Sequence, residues 1–81
     1  MLFTLITDYK GGTYISQIQA ETANHALESS KKSIGKLLNT TLDSDNDIVV
    51  AISGTSGVWG AATVDLDNNL VSIHIVQTEM L

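Results

Sequence analysis

Apolar residues recur at intervals of three and four between Thr22 and Asn39, a spacing that predicts one amphipathic helix over this stretch. The stripe on one side of this helix comprises Ala23, Ala26, Leu27, Ser30, Ile34, Leu37 and Leu38. We expect Thr22 to be the N-cap and Asn39 to end the helix, because both residue types suit those positions. A helix of this length is marginally stable alone, so its apolar side should pack on a sheet.

Alternating and β-branched segments on both sides of the helix predict five strands. Leu2–Thr7 and Thr13–Ala20 come before the helix, and Ile48–Ser53 and two further strands, the last over Val71–Thr78, come after it. The predicted fold is therefore α+β: a two-layer ββαβββ domain over residues 1–81, with one helix packed on one face of a five-stranded antiparallel sheet. Strand order 2-1-3-4-5 follows if the crossover skips only the first strand, and 2-1-5-4-3 stays open.

Glycine and asparagine between the strands predict three hairpin turns, because these residues tolerate left-handed backbone conformations. The predicted turns are Gly11-Gly12, Thr55-Ser56-Gly57 and Asn68-Asn69. Each turn implies a register, and the resulting pairs include Leu5 with Ile18, Val50 with Ala62, and Val64 with Ile73. A shift by one residue would mix apolar and polar residues on each face, so these registers are preferred.

One helix covers one side of the sheet and leaves the other side uncovered. The predicted uncovered side carries Thr4, Ile6, Ile15, Gln17, Gln19, Val49, Ala51, Trp59, Ala61, Thr63, Asp65, Ser72, His74 and Val76. A solvated sheet face normally carries many charged residues, whereas interface cores lose charge and gain aromatics. The pattern indicates a docking surface around Trp59, although a small protein also exposes some apolar surface without a partner. An even-length loop between the third and fourth strands would turn Trp59 inward.

The charge balance restricts the class of partner. Nine acidic residues oppose four lysines, arginine is absent, and the net charge is −5. Nucleic-acid binding depends on Lys and Arg, so it is not expected, whereas a basic protein partner is compatible with this charge. Cysteine is absent, which excludes disulfides and thiolate chemistry. The sequence contains neither a secretory signal pattern nor a membrane-spanning run, so we expect a cytoplasmic protein that does not bind membranes.

The candidate catalytic and metal-binding patterns are weak. Asp65, Ser72 and His74 share the predicted uncovered face, but neither an oxyanion donor nor a glycine elbow accompanies them, so we expect no enzyme. The acidic segment 43–47 resembles the start of a calcium loop. It has Ile48 where that loop needs glycine and Gly54 where it needs glutamate, so no metal or cofactor is expected.

The N-terminal half is similar to a known family of small proteins. The segment 11–17, GGTYISQ, followed by Thr22 and the Ala26-Leu27 pair, resembles the opening of HicB-like antitoxin domains. The likeness extends from Phe3 to Leu38, and three strands after the helix depart from the family pattern. The resemblance implies a non-catalytic, oligomeric protein that neutralises a toxin partner.

These patterns lead to one principal hypothesis and one alternative. The principal hypothesis is a non-catalytic interaction module, a homodimer of antitoxin, immunity or inhibitor type, that uses the uncovered face or an edge strand (13–20 or 71–78). The predicted partner-binding residues are Ile6, Ile15, Gln17, Val49, Trp59, Thr63 and His74. The alternative is a small-molecule site on the sheet face or at a subunit junction, near Trp59 and His74.

Overall fold

A computed structural model of the chain describes residues 1–42 and 47–79, with Glu79 described by its backbone alone. The elements are β1 (Leu2–Tyr9), β2 (Gly12–Gln19), α1 (Ala23–Leu38), β3 (Ile48–Ala51), β4 (Val58–Val64) and β5 (Leu70–Glu79). They form one five-stranded antiparallel sheet with the helix packed against it, so the predicted α+β ββαβββ fold is confirmed. The predicted acidic segment 43–47 lies outside the described residues except for Asp47.

The strand order is β2-β1-β5-β4-β3, so the order that skips only the first strand is wrong and the other one is observed. Hydrophobic burial accounts for this order. Val71, Ile73 and Ile75 of β5 are completely buried. A central position suits this apolar strand, because a neighbouring strand then lies along each of its two edges. The predicted segment 71–78 is therefore not an edge, and β2 and β3 are the two edges.

Helix α1 begins and ends as its sequence predicts. The Thr22 hydroxyl accepts a hydrogen bond from the His25 backbone N–H at 3.1 Å, and Asn39 ends the helix in the left-handed conformation. Leu27 and Ile34 are buried against β1, β2 and β5. Leu37 is 50% exposed, contrary to the prediction, because the buried stripe passes from Ile34 to Leu38.

The first hairpin turns one residue earlier than predicted. Lys10 and Gly11 form the turn, both with positive φ, and Tyr9 pairs with Gly12. Gly12 lies outside the turn, and its missing side chain leaves room for Tyr14, since a Cβ atom there would lie 2.9 Å from the Tyr14 hydroxyl. The predicted register is off by two residues, which leaves the assignment of residues to faces unchanged.

The last hairpin differs from its prediction in a way that does change the faces. In place of a two-residue Asn68-Asn69 turn, a wider loop joins Val64 to Leu70. Its centre is the Asp65 carboxylate, which accepts hydrogen bonds from the backbone N–H groups of Asp67 at 2.8 Å and Asn69 at 2.9 Å. The register between β4 and β5 therefore shifts by an odd number of residues, and β4 presents the opposite side from the one predicted.

Because β3 pairs with β4, it also presents the opposite face from the one predicted. The observed pairs Val50–Gly60 and Ile48–Ala62 lie two residues from the predicted register, so large residues still face small ones. Just before β3, the Asp47 carboxylate forms an ion pair with the Lys31 ammonium, which connects this edge to the helix.

The one helix within the described residues is not long and apolar enough to cross a membrane.

Candidate interaction surface

The sheet has a face covered by the helix and a face that the helix leaves free. We call the second one the open face, and define it by the residues that alternate with the buried positions of each strand. The open face comprises Leu2, Thr4, Ile6, Asp8, Thr13, Ile15, Gln17, Gln19, Ile48, Val50, Val58, Gly60, Ala62, Val64, Leu70, Ser72, His74, Val76 and Thr78. Among these side chains, Asp8 is the one carboxylate, and none is Lys or Glu.

The structure divides the predicted partner-binding residues between the two faces. Ile6, Ile15, Gln17 and His74 lie on the open face as expected. The other three, Val49, Trp59 and Thr63, lie on the helix side, so their predicted placement is wrong. The loop centred on Asp65 is the physical cause, since it turns β4 over relative to β5 and carries β3 with it.

Trp59 belongs to the packing under the helix. Its ring meets the Phe3 ring edge to face, with centroids 5.8 Å apart, and it packs against the buried core. Val49 packs against the same core, and Thr63 is only 3% exposed. Trp59 and His74 therefore point to opposite sides of the sheet, and a ligand site that joins them on one face does not exist.

The open face carries aliphatic side chains from three strands, of which Ile48, Val50, Ala62 and Val64 were predicted to lie on the helix side. We call them the apolar strip: Ile48, Val50, Val58, Ala62, Val64, Leu70 and Val76, from β3, β4 and β5. Ile48 is 60% exposed, Val50 57% and Leu70 64%. The missed signal is that β3 and β4 are apolar at nearly every position, which is typical of strands with both faces dry.

A shallow depression of about 340 Å³ crosses the apolar strip. Its lining includes Ile48, Val50, Gly60 and Ala62, and it is almost wholly apolar. The depression arises because Gly60 and Ala62 fill little space beside the β-branched residues that pair with them on β3. Apolar pockets at the centre of protein interfaces typically take up an apolar side chain, and this recess has the same apolar lining.

The opposite half of the open face mixes apolar side chains, such as exposed Ile15, with polar side chains that hydrogen-bond to each other. The Gln17 amide donates to the Thr4 hydroxyl at 3.0 Å, and the Thr4 hydroxyl lies 3.2 Å from that of Thr78. Nearer the first turn, the Thr13 hydroxyl donates to Asp8 at 2.8 Å. These contacts pair several polar side chains of this half within the chain, whereas the apolar strip offers an uncharged, aliphatic surface.

The three residues considered for catalysis do not converge. Asp65 is buried on the helix side, where the Tyr9 hydroxyl donates to its carboxylate at 2.5 Å and the Asn69 side-chain amide donates at 2.9 Å. The Tyr9 hydrogen bond, with those from Asn69 and Asp67, holds the pKa of the Asp65 carboxyl well below its usual range against the opposing effect of burial. Ser72 and His74 lie on the other face.

Acidic and histidine side chains do not gather into a metal-binding group in the part of the chain that the structure describes. In comparisons with protein-family models, curated proteins and solved structures, no family, relative or structure matches this chain.

Proposed function

We propose that this protein is a non-catalytic interaction module that docks a protein partner on its apolar strip and self-associates as a homodimer. The antitoxin, immunity and inhibitor classes fit this proposal, since their members act by covering another protein. The similarity of the N-terminal half to HicB-like antitoxin domains points to the same class.

The observation that carries the proposal is the aliphatic, uncharged surface formed by β3, β4 and β5. Ile48, Val50 and Leu70 each expose more than half of their surface. Burial of apolar area contributes about 25 cal/mol for each Å², so a partner that covers these side chains gains a substantial free energy. Contiguous exposed patches of this kind mark interaction sites more often than plain solvent-exposed surface.

The charge of the molecule suggests the kind of partner. The net charge is −5, and the apolar strip itself carries no charged side chain. Electrostatic attraction to a basic protein would speed the encounter, and apolar contact with the strip would then hold the complex. The proposed partner is accordingly a small basic protein that presents an apolar side chain to the depression between β3 and β4.

The proposal is tested by co-expressing the tagged chain with the product of each neighbouring gene and measuring co-purification. One product should be retained in stoichiometric amount by the wild type and lost from Val50→Lys, because a lysine ammonium in the depression cannot be desolvated without a partner charge.

The matched control is Leu37→Lys on the outer side of α1, since Leu37 is exposed to a similar degree. This variant should retain the product. Equal retention of a product by Val50→Lys and the wild type would contradict docking on the apolar strip, and so would the retention of none.

A further inference from the structure

Strand β2 is an edge whose outward backbone groups have no partner in the sheet. Tyr9 pairs with Gly12 across the turn, and the Ala20 N–H donates to the Met1 carbonyl at 3.0 Å. The residues of β2 that bond to β1 are therefore the even-numbered ones. Thr13, Ile15, Gln17 and Gln19, which alternate with them, point their N–H and C=O groups away from the sheet, where another strand can bind.

Nothing in the sequence of β2 protects this edge from pairing. Edge strands usually carry lysine, proline or inward-pointing charges that discourage a second strand. Strand β2 spans eight residues, Gly12–Gln19, without a charged residue or a proline. The other edge, β3, has four residues and follows Asp47 and its ion pair with Lys31, so it offers a shorter template beside fixed charges.

We propose that β2 pairs antiparallel with β2 of a second copy, about a two-fold axis that passes between the two Ser16 residues. This inference rests on the homodimer of the proposed function and assigns its interface. In this register Thr13 lies opposite Gln19 of the other copy, and Ile15 lies opposite Gln17. Every outward N–H and C=O group of β2 then finds a partner, whereas a shift by two residues leaves outward groups unpaired at the ends.

The side chains agree with this register. On the helix side, half-buried Tyr14 lies opposite half-buried Ile18 of the other copy, and pairs of an aromatic and a β-branched residue stabilise antiparallel sheets. At the ends, exposed Lys10 precedes β2 and exposed Glu21 follows it. The two-fold axis brings Lys10 of one copy to the end occupied by Glu21 of the other, so opposite charges meet.

The resulting dimer would be one continuous sheet of twice five strands. Because the axis is perpendicular to the sheet, both helices lie on one side and both open faces lie on the other. The two apolar strips sit at the far ends, on β3 to β5, and stay free to bind a partner each. Self-association and partner binding therefore use separate surfaces.

Cross-linking through Ser16 tests this register directly. The chain contains no cysteine, so Ser16→Cys introduces a single thiol. Ser16 and its copy form a non-hydrogen-bonded pair whose Cα atoms are about 4.5 Å apart, which is within disulfide range. Under mild oxidation, most of this variant should run as a covalent dimer that dithiothreitol separates.

Two cysteine controls isolate the geometry. Gln17→Cys lies on the same strand, but its copy is displaced diagonally by two residues, beyond disulfide reach, and exposed Ser33→Cys lies on the outer side of α1. Both variants should remain uncross-linked under the same conditions. Equal cross-linking of all three would indicate random collision and overturn the register.

Light scattering after size exclusion, at high micromolar concentration, completes the test. The wild type should have twice the chain mass of 8.7 kDa. Gln17→Pro removes one outward N–H and breaks no backbone hydrogen bond inside the chain, although it also removes the side-chain bond to Thr4. It should shift the mass to that of a monomer. Val50→Lys should remain a dimer.

The outcomes separate the two proposals. A dimeric wild type whose Ser16→Cys variant does not cross-link, and whose Gln17→Pro variant stays dimeric, would overturn pairing through β2 and leave the homodimer in place. A monomeric wild type would overturn the homodimer and its interface together. Docking of a partner on the apolar strip is decided separately, by the Val50→Lys and Leu37→Lys comparison.

Discussion

At the scale of single residues, the Asp65 carboxylate determines which way β4 faces. It accepts hydrogen bonds from two backbone N–H groups of its own loop and from the hydroxyl of Tyr9. Tyr9 lies on β1, which is separated from β4 by β5. An aspartate that bonds to the backbone two residues ahead favours a turn over a continued strand. The loop therefore opens at Asp65, and the predicted tight turn at Asn68 does not form.

Protonation of Asp65 should destabilise the fold in acid. Because the pKa of Asp65 is lower in the folded than in the unfolded chain, its ionised form stabilises the fold above the unfolded pKa of about 3.9. This contribution is lost as pH falls from that value towards the folded-state pKa. Urea unfolding between pH 2 and pH 7 should show the loss in wild type. Asp65→Asn should be less stable at pH 7 and should show a weaker dependence on acid.

The control for this effect is Asp67→Asn, which removes an exposed carboxylate from the same loop. It should retain the acid dependence of the wild type. If Asp65→Asn kept the full acid dependence, Asp65 would not be the group that controls this loop.

The buried hydroxyl of Thr63 should cost stability, because it has no hydrogen-bond partner among the residues that the structure describes. Thr63→Val keeps the shape and removes the unpaired group, so we expect the free energy of unfolding to rise by about 1 kcal/mol. Chemical denaturation measures the change. Thr4→Val is the control, since the Thr4 hydroxyl is hydrogen-bonded to Gln17, and it should bring no gain. A loss on Thr63→Val would mean that its hydroxyl is satisfied.

Gly35 should tolerate no side chain, although it lies inside α1, where alanine is normally better. A Cβ atom there would lie 2.7 Å from the Thr40 backbone carbonyl, which closes over the end of the helix. Gly35→Ala should therefore destabilise the protein by about 1–3 kcal/mol, against the gain of about 1 kcal/mol expected from helix propensity. Thermal unfolding measures the shift, with exposed Ser33→Ala as a control that should be neutral or stabilising. A more stable Gly35→Ala would contradict the close packing at Thr40.

At the scale of elements, sequence patterns predict the features that depend on residues close together in the chain, such as the helix and its caps. They do not predict the strand order or the faces of β3 and β4, which depend on residues far apart in the chain. The helix and its caps at Thr22 and Asn39 follow from spacing within one segment. The strand order does not, because two orders place the same segments in antiparallel pairs. The faces of β3 and β4 were mispredicted because the Asp65 loop relies on Tyr9, which is far away in sequence. Four of the seven predicted surface residues lie on the open face, and the apolar strip was missed for the same reason.

The reversed face of β4 makes Trp59 a structural residue. Its packing against Phe3 and the core predicts that Trp59→Ala lowers the free energy of unfolding by about 3 kcal/mol. Urea unfolding followed by circular dichroism measures the loss. Val50→Ala, at an exposed position on the neighbouring strand, should cost less than about 1 kcal/mol. Equal, small effects for both variants would contradict the packing of Trp59 against the core.

At the scale of the whole molecule, the two sides of the sheet differ in packing and composition. The helix side holds the buried core, with Phe3, Leu27 and Ile73 at its centre. The open face combines a mixed half, in which several polar side chains bond to each other, with the uncharged apolar strip. Under the proposals above, the β2 edge joins two copies and the two strips remain available, so that one dimer holds two partner molecules.

The most direct test of this account is the affinity of the co-purified partner for matched lysine variants, measured by calorimetry. Val50→Lys should weaken binding at least tenfold, which corresponds to about 1.4 kcal/mol, because the charge enters the centre of the apolar strip. Leu37→Lys, at a position of similar exposure on the helix, should bind within twofold of wild type. Equal affinities for Val50→Lys and wild type would show that the partner does not bind the open face.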